Sequence, residues 1–317
     1  MLVQSYMSWQ RRGSRLGLDV VMLVACLAII PTSLSGGGQN AAPEQPPGEL
    51  VRLAVAREVS DAQSPSVKHL FRSRKQGLRG SQTKLYVQTT EAMAGMLIAI
   101  DDKPISSQQM DGELGHLDYL NNDHDALRRK QKQERDDADR TLRIVKALPD
   151  AFLYEYEGQE QSQPGVGRPG DALVRLKFRP NPRYSPPSRV EQVLSGMEGY
   201  LLIDKGALRI GKIDARLFRD VTFGWGILGH LDKGGTFTVC QAEVSDGAWE
   251  ITHMQLNMTG KILLFKSIAV KSDEVLSDFR RVASDLTFAK GVELLKSEVA
   301  RMQNTGPENA SASSDRR

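Results

Sequence analysis

The residue types that most often do chemistry are few in this chain, and they form no recognisable catalytic pattern. The five histidines are widely spaced, as His69, His116, His124, His230 and His253. The chain contains no G-x-S-x-G, G-x-x-x-x-G-K-[ST], H-E-x-x-H or C-x-x-C motif, the patterns that position a nucleophile, a phosphate, a zinc ion or a redox pair. The sequence therefore predicts a protein that is not an enzyme and that carries no cofactor.

Two features invite interpretation as reactive sites. His116 and His124 flank two aspartates, but the histidines are eight residues apart. That spacing exceeds two helical turns, so we expect exposed side chains rather than a metal site. Cys240 lies in an alternating, strand-like run, and a free cysteine of this kind usually behaves as a small hydrophobic residue. We expect a buried, inert thiol.

The overall composition is that of an ordinary soluble protein. Of 317 residues, 40% are hydrophobic and 26% are charged, and a chain of this length buries a core without the help of disulfide bonds. The formal net charge is +3, which gives no electrostatic reason to bind nucleic acid. The composition leaves the oligomeric state open.

Residues 1–35 have the pattern of a secretion signal. Three arginines precede the apolar run of residues 20–30, and small residues follow it. A basic flank, a short apolar core and small residues before the cut define such a signal, whereas a membrane-spanning helix needs about twenty apolar residues. We predict cleavage after Ser35 and a location in the periplasm or cell envelope. The alternatives are an uncleaved anchor and a lipid-anchored form that begins at Cys26.

Composition also divides the remaining chain. Residues 36–48 are rich in Gly, Pro, Gln and Ala, which predicts a flexible linker. Residues 304–317 are polar and without pattern, which predicts a disordered tail. Between them we predict a single β-rich domain over residues 49–303, with a helical insert at residues 106–148.

Alternating apolar and polar residues predict many short strands. In the clearest case, Val174, Leu176 and Phe178 alternate with basic residues, as in a strand with one buried face. Helical spacing of apolar residues predicts helices at 49–59 and 288–302. The predicted fold class is α+β and β-rich, with a curved antiparallel sheet or open half-barrel covered by helices.

The helical insert has a charged centre. Ser106 and Ser107 are suitable N-terminal caps, and Pro149 is expected to end the helix. Residues 128–141 are polar on nearly every helical face. We therefore predict a solvated helix, supported by opposite charges three and four residues apart. The alternative is a helix that docks onto a partner or onto nucleic acid.

The candidate ligand-binding residues lie in two apolar stretches. A glycine-rich run predicts an apolar mouth formed by Phe223, Trp225, Ile227 and Leu228. The alternative is a sharp bend of the sheet with Trp225 in the core, because glycines in strands allow bends and close backbone approach. The run 262–271 has apolar residues on both faces and contributes Phe265. Such a strand lines a cavity or, alternatively, packs inside the core.

Two longer stretches carry a family resemblance. Residues 139–158, ending in ALPDAFLYEYEG, and residues 172–282, with GMEGYLLID and WEITHMQLN, resemble a group of uncharacterised exported bacterial proteins. More distantly, the order of elements is similar to the outer-membrane lipoprotein-sorting (Lol-type carrier) superfamily. That resemblance implies an open half-barrel with helices over an apolar cavity, and a lipid or lipoprotein as partner.

The resemblance and the residues together lead to one leading hypothesis. We expect a non-enzymatic envelope protein that binds or carries an acyl chain or a lipoprotein segment near a membrane. One alternative is a protein-interaction or regulatory module of the same fold without a ligand cavity. The other is a hydrolase whose site the sequence does not reveal.

Overall fold

The computed structural model describes residues 45–63, 67–223, 229–262 and 266–304. These residues form an α+β fold with five α-helices and one antiparallel sheet of thirteen strands that is not closed. The predicted fold class is therefore confirmed. Among the described residues, no helix has both the length and the apolar character needed to cross a membrane.

The helices and strands follow one another along the chain with short connections. The helices are α1 (Pro47–Gln63), α2 (Ser107–Asn122), α3 (His124–Ala151), α4 (Arg189–Gln192) and α5 (Phe288–Asn304), with a 3-10 helix at Val193–Gly196. The strands are β1 (Lys68–Gly77), β2 (Gly80–Val87), β3 (Ala94–Ile100), β4 (Lys103–Pro104), β5 (Phe152–Gln161), β6 (Ala172–Pro180), β7 (Met197–Asp204), β8 (Arg209–Leu217), β9 (Val221–Phe223), β10 (Gly229–Leu231), β11 (Thr236–Ser245), β12 (Ala248–Ile262) and β13 (Lys266–Val282).

The sheet follows the order β4-β3-β2-β1-β13-β12-β11-β8-β7-β6-β5, and the β9–β10 hairpin pairs with β12. The chain divides into two compact units within α3 and within β13. The first unit comprises Met1–Pro65 and Asp136–Val275, and the second comprises Ser66–Arg135 and Leu276–Arg317.

In the first unit, one face of the sheet is apolar and α1 packs on it, against β5 and β8. The alternation in β6 explains why that face is apolar: Leu176 and Phe178 are fully buried, while Lys177 between them is half-buried on the other face. The helix contributes four buried apolar side chains to the same core, namely Leu50, Val51, Ala54 and Val55. Burial of apolar side chains is the main force that holds a helix such as α1 on a sheet.

In the second unit, α2 and α5 pack on β3. The predicted stripe of α5 is buried, with Phe288, Val292, Leu295 and Val299 all in the core. The short strand β4 pairs with just two residues of β3. A carboxylate of α2 accepts a hydrogen bond from another β3 amide, with Leu97 N donating to Glu113 Oε2 at 2.9 Å. The helix thus provides the hydrogen-bond acceptor that a neighbouring strand would otherwise provide for this backbone amide.

The helical insert follows the prediction at its start. Ser106 is the N-terminal cap of α2 and forms a capping box with Gln109. The expectation that Pro149 ends the helix is wrong, because α3 includes this residue and continues to Ala151. Pro149 lies in the last turn, where the helix loses a single backbone hydrogen bond before it ends.

The prediction that the charged centre is solvated on all sides is also wrong. Glu134 and Asp137 of α3 are 6% and 2% exposed. Each carboxylate is buried with a polar partner: Glu134 accepts a hydrogen bond from Met93 N at 3.0 Å, and Asp137 pairs with Arg140. Buried charges persist in proteins when they are paired in this way.

Candidate functional site

One of the five predicted ligand-binding residues lies in the described part of the chain. Phe223 ends β9 and is 3% exposed, within the core of the first unit. The other predicted contacts, Trp225, Ile227, Leu228 and Phe265, lie outside the described residues, as do Ser35 and Cys26. Their roles remain predictions.

The described residues on either side of the two undescribed stretches are neighbours in the sheet. Phe223 pairs with Gly229 across the β9–β10 hairpin. Gly229 pairs with Ile262 of β12, and Ile262 pairs with Lys266 of β13. The register therefore places the ends of β9 and β10 beside the ends of β12 and β13, although these two hairpins are about forty residues apart in sequence.

Glycines allow tight packing at this strand end. A Cβ atom on Gly235 would lie 2.1 Å from the sulfur of Met258, and one on Gly260 would lie 2.2 Å from the carbonyl oxygen of His230. Both distances are far below contact distance, so no larger residue fits without displacement. Close backbone approach of this kind is a common reason for glycine in a strand.

The apolar face is incompletely covered along β13. Ser272 is buried, Val270 and Ile268 are half-buried, and Lys266 is exposed. These residues alternate along the strand and share the face that packs against the core. Ile268 lies opposite Gly260, which has no side chain to cover it. We call Ile268 and Val270 the open apolar strip.

The opposite face of the first unit's sheet carries a cluster of polar and charged side chains. Lys212 Nζ lies 2.6 Å from Tyr200 Oη and 2.9 Å from Asp214 Oδ2. The guanidinium of Arg175 stacks on the Tyr200 ring, 3.6 Å from its centroid. Burial alone would lower the pKa of Lys212, but the hydrogen bonds to Tyr200 and Asp214 outweigh it and raise that pKa above its ordinary value. The lysine stays charged, so Lys212 does not act as a general base at neutral pH.

Three neighbouring strands on that face also carry a cysteine, a histidine and a carboxylate. Cys240 of β11 pairs with His253 of β12, whose Nε2 lies 3.0 Å from Asp273 Oδ1 of β13. A cysteine nucleophile requires an accessible thiol with a lowered pKa. Cys240 is buried, as the sequence predicts, and burial raises the pKa of its thiol. The arrangement therefore gives no support to a hydrolase.

A buried polar network holds α1 to the sheet. The Glu58 carboxylate accepts hydrogen bonds from Arg209 Nε at 3.0 Å, Arg209 Nη2 at 2.9 Å, Ile210 N at 3.0 Å and Gln241 Nε2 at 2.9 Å. Glu58 and Arg209 are 1% and 4% exposed. Asp61 also pairs with Arg209. Since nearly every polar group has a partner, the network fixes the helix rather than binding a ligand.

Metal binding finds no support in the described part of the chain, where no three His, Cys, Asp or Glu side chains group around a common point. His116 and His124 are both exposed, in α2 and at the start of α3.

Comparison with known proteins gives a distant structural similarity and no match of sequence family. No protein-family model matches the chain, and no curated protein matches it. Among solved structures, the crystal structure of a DUF1329 family protein from Desulfovibrio piger ATCC 29098 is similar over 74% of this chain and 93% of that chain, with 10% sequence identity and a TM-score of 0.25. A TM-score of this size carries no argument about fold or function.

Proposed function

We propose that the protein is an exported, non-enzymatic binder or carrier of an acyl chain or a lipoprotein segment in the bacterial cell envelope. The observation that supports this proposal is the open apolar strip. Ile268 and Val270 stay half-buried on the face that packs against the core, beside Leu256 and Met258 of the adjacent strand, which are buried. An apolar ligand that covers them removes apolar surface from water, which is the main source of affinity at such sites.

The strip alone gives modest affinity. Complete burial of a valine or isoleucine side chain contributes roughly 1.5–3 kcal/mol, so covering two half-buried side chains contributes about 2 kcal/mol in total. Each methylene of an acyl chain that leaves water adds about 0.8 kcal/mol. The predicted contacts Trp225 and Phe265 lie outside the described residues and stay part of the hypothesis.

The architecture agrees with the Lol-type resemblance at a coarse level. That resemblance implies an open antiparallel sheet with helices over its apolar face, and in the first unit α1 packs on the apolar face of an open sheet. The export signal that the sequence predicts at residues 1–35 gives the proposal its location. Lipid anchoring at Cys26 remains the alternative for the N-terminus.

A protein-interaction module of the same fold is the second candidate. The observation that favours it is the dense core beside the strip, where Phe223, Leu231 and Met258 are at most 3% exposed. A core already filled by its own side chains has no room for a long ligand unless side chains or neighbouring segments move.

Titration with a fluorescent fatty acid separates the two candidates. We expect saturable uptake by the wild-type protein and loss of uptake in Ile268→Glu, because a carboxylate in the strip would have to be buried by the acyl chain. Ala269→Glu is the matched control, since Ala269 is the exposed neighbour on the opposite face. Circular dichroism checks that both variants fold. Absence of uptake by the wild type, or equal loss in both variants, would favour the interaction module.

A further inference from the structure

The core-facing side of β13 changes from apolar to polar along the strand. Ile268 and Val270 form the open apolar strip, and the next residue on the same face, Ser272, is 6% exposed. Successive side chains on one face of a strand are about 7 Å apart, because each residue advances the strand by about 3.4 Å. The buried end of the strip is therefore followed directly by a hydroxyl group.

The Ser272 hydroxyl has no hydrogen-bond partner among the described residues. Other hydroxyls of the first unit are paired. Thr252 Oγ1 donates to the carbonyl oxygen of Gly165 at 2.6 Å, and Ser195 Oγ donates to that of Gln192 at 2.9 Å. A hydroxyl that loses its hydrogen bonds to water on burial and gains none in return destabilises the folded protein. Ser272 is thus a polar group whose burial calls for a partner from outside the described chain.

The side chains around Ser272 explain why it is unpaired. Across the sheet it pairs with Leu256, which is 2% exposed, and its neighbour along the same face is Val270. Neither side chain can donate or accept a hydrogen bond. The following residue on this face, Glu274, is also buried but does not bond the Ser272 hydroxyl. The hydroxyl therefore lies at the boundary between the apolar strip and the polar end of the face.

A neutral carbonyl oxygen is the group that suits this hydroxyl. The serine O–H can donate one hydrogen bond, and a carbonyl oxygen can accept it without bringing a charge into the core. An ionised carboxylate would need a buried cation as its partner. On this face of β13 the cation Lys266 is six residues before Ser272, about 20 Å away along the strand. The position therefore favours an ester or an amide over a free fatty acid.

We infer that Ser272 donates a hydrogen bond to the carbonyl oxygen of an ester-linked or amide-linked acyl chain, whose apolar part covers the open apolar strip. The inference rests on the proposed function and specifies its ligand, because it names the group at the end of the acyl chain. Entry of the ligand requires the side chains over the hydroxyl to shift, since protein interiors are close-packed. Phospholipids and acylated peptides both contain such a carbonyl group.

Two matched fluorescent probes test the inference. One is a labelled fatty-acid methyl ester, and the other is the corresponding methyl ether, in which a methylene group replaces the carbonyl. The ratio of their affinities for the full-length chain isolates the contribution of the carbonyl, because any binding by the apolar run 20–30 is common to all variants. We expect Ser272→Ala to lower the ester-to-ether ratio about fivefold, the factor that corresponds to one net hydrogen bond.

A matched variant and a stability measurement serve as controls. Ser267 is exposed on the opposite face of β13, so Ser267→Ala should leave the ester-to-ether ratio unchanged. Thermal unfolding of the ligand-free protein is the second readout. Because Ser272→Ala removes a buried hydroxyl that has no partner, its melting temperature should equal or exceed that of the wild type. A serine with a structural hydrogen bond would instead lower the melting temperature when it is replaced.

The outcomes separate this inference from the carrier proposal. An unchanged ester-to-ether ratio in Ser272→Ala, or a lower melting temperature of that variant, would overturn the inference and leave the carrier proposal intact. Failure of the wild type to bind either probe would refute both. Competition against the ester probe distinguishes the sources of the carbonyl. Displacement by a short-chain phosphatidylglycerol or by an N-acylated peptide would support the inference, and displacement by neither would overturn it.

Discussion

Replacement of Glu58 by glutamine tests whether the buried network holds α1 on the sheet. Three of the four hydrogen bonds, from Arg209 Nε, Ile210 N and Gln241 Nε2, go to the same carboxylate oxygen, Oε1. A glutamine carbonyl at that position can still accept them. The glutamine NH₂ group, however, replaces the Oε2 acceptor and faces a guanidinium nitrogen that can only donate.

The variant therefore leaves Arg209 buried with Asp61 as its one remaining carboxylate in this network. Removing one partner of a buried ion pair costs about 3–5 kcal/mol. Glu58→Gln keeps the three hydrogen bonds to the carbonyl, and Asp61 keeps its pairing with Arg209. We therefore expect a loss of stability at the lower end of this range, about 3 kcal/mol. A second substitution, Arg209→Gln, removes the uncompensated charge and is expected to recover part of that loss.

The assay is urea unfolding followed by far-ultraviolet circular dichroism. Asp150→Asn is the control, because it removes an exposed pair in which Arg52 Nη2 lies 3.1 Å from Asp150 Oδ1, with side chains 53% and 71% exposed. Exposed pairs of this kind contribute at most about 1 kcal/mol. A Glu58→Gln variant that unfolds at the same urea concentration as Asp150→Asn would refute the reasoning.

Three further predictions concern other parts of the molecule. Arg280 donates a hydrogen bond to the Glu298 carboxylate and holds the pKa of that carboxylate below the ordinary 4.5. Glu298→Gln should therefore be less stable than the wild type above about pH 4.5. Urea unfolding at several pH values should show this difference in stability vanish as the pH falls through the lowered pKa. Burial raises the pKa of the Cys240 thiol, so a thiol reagent should react slowly with native protein and quickly in denaturant; equal rates would contradict the buried position. Gly260→Ala should lower the stability by about 1–3 kcal/mol, because the new Cβ atom would lie 2.2 Å from a backbone carbonyl oxygen. Gly115 of α2 faces open space, so Gly115→Ala should raise the stability by up to about 1 kcal/mol. Thermal melts measure both changes.

Local patterns in the sequence were sufficient to predict most strands and helices. The alternation of Val174, Leu176 and Phe178 with basic residues is that of a strand with one buried face, and all three apolar residues are buried in β6. The apolar spacing after Phe288 likewise predicts α5, whose stripe is buried. In both cases the pattern depends on neighbouring residues alone, which a sequence displays directly.

Long-range pairing could not be predicted in the same way. Glu58 occupies a polar position in the helical pattern of α1, and its burial depends on Arg209, which is 151 residues away. The burial of Glu134 similarly depends on an amide of the loop before β3. A charged residue in a sequence carries no mark of whether a distant partner will compensate its burial.

The open apolar strip lies within the run 262–271, which is apolar on both faces of a strand in the sequence. The sequence alone does not distinguish these two faces. The structure separates them, because Ile268 packs against the core and Ala269 is exposed. The pairing that places Phe223 and Lys266 at the same strand end is a matter of register between distant strands, which local patterns do not specify.

The proposal that this protein binds an acyl-bearing ligand is tested most directly by native mass spectrometry of the protein purified from a periplasm, with lipid extraction of the same sample. We expect a bound phospholipid or acylated peptide that is retained in Ala269→Glu and lost in Ile268→Glu. It should also be lost when Trp225 or Phe265 is replaced by a charged residue. A ligand-free mass for the wild type, with no lipid in the extract, would contradict it.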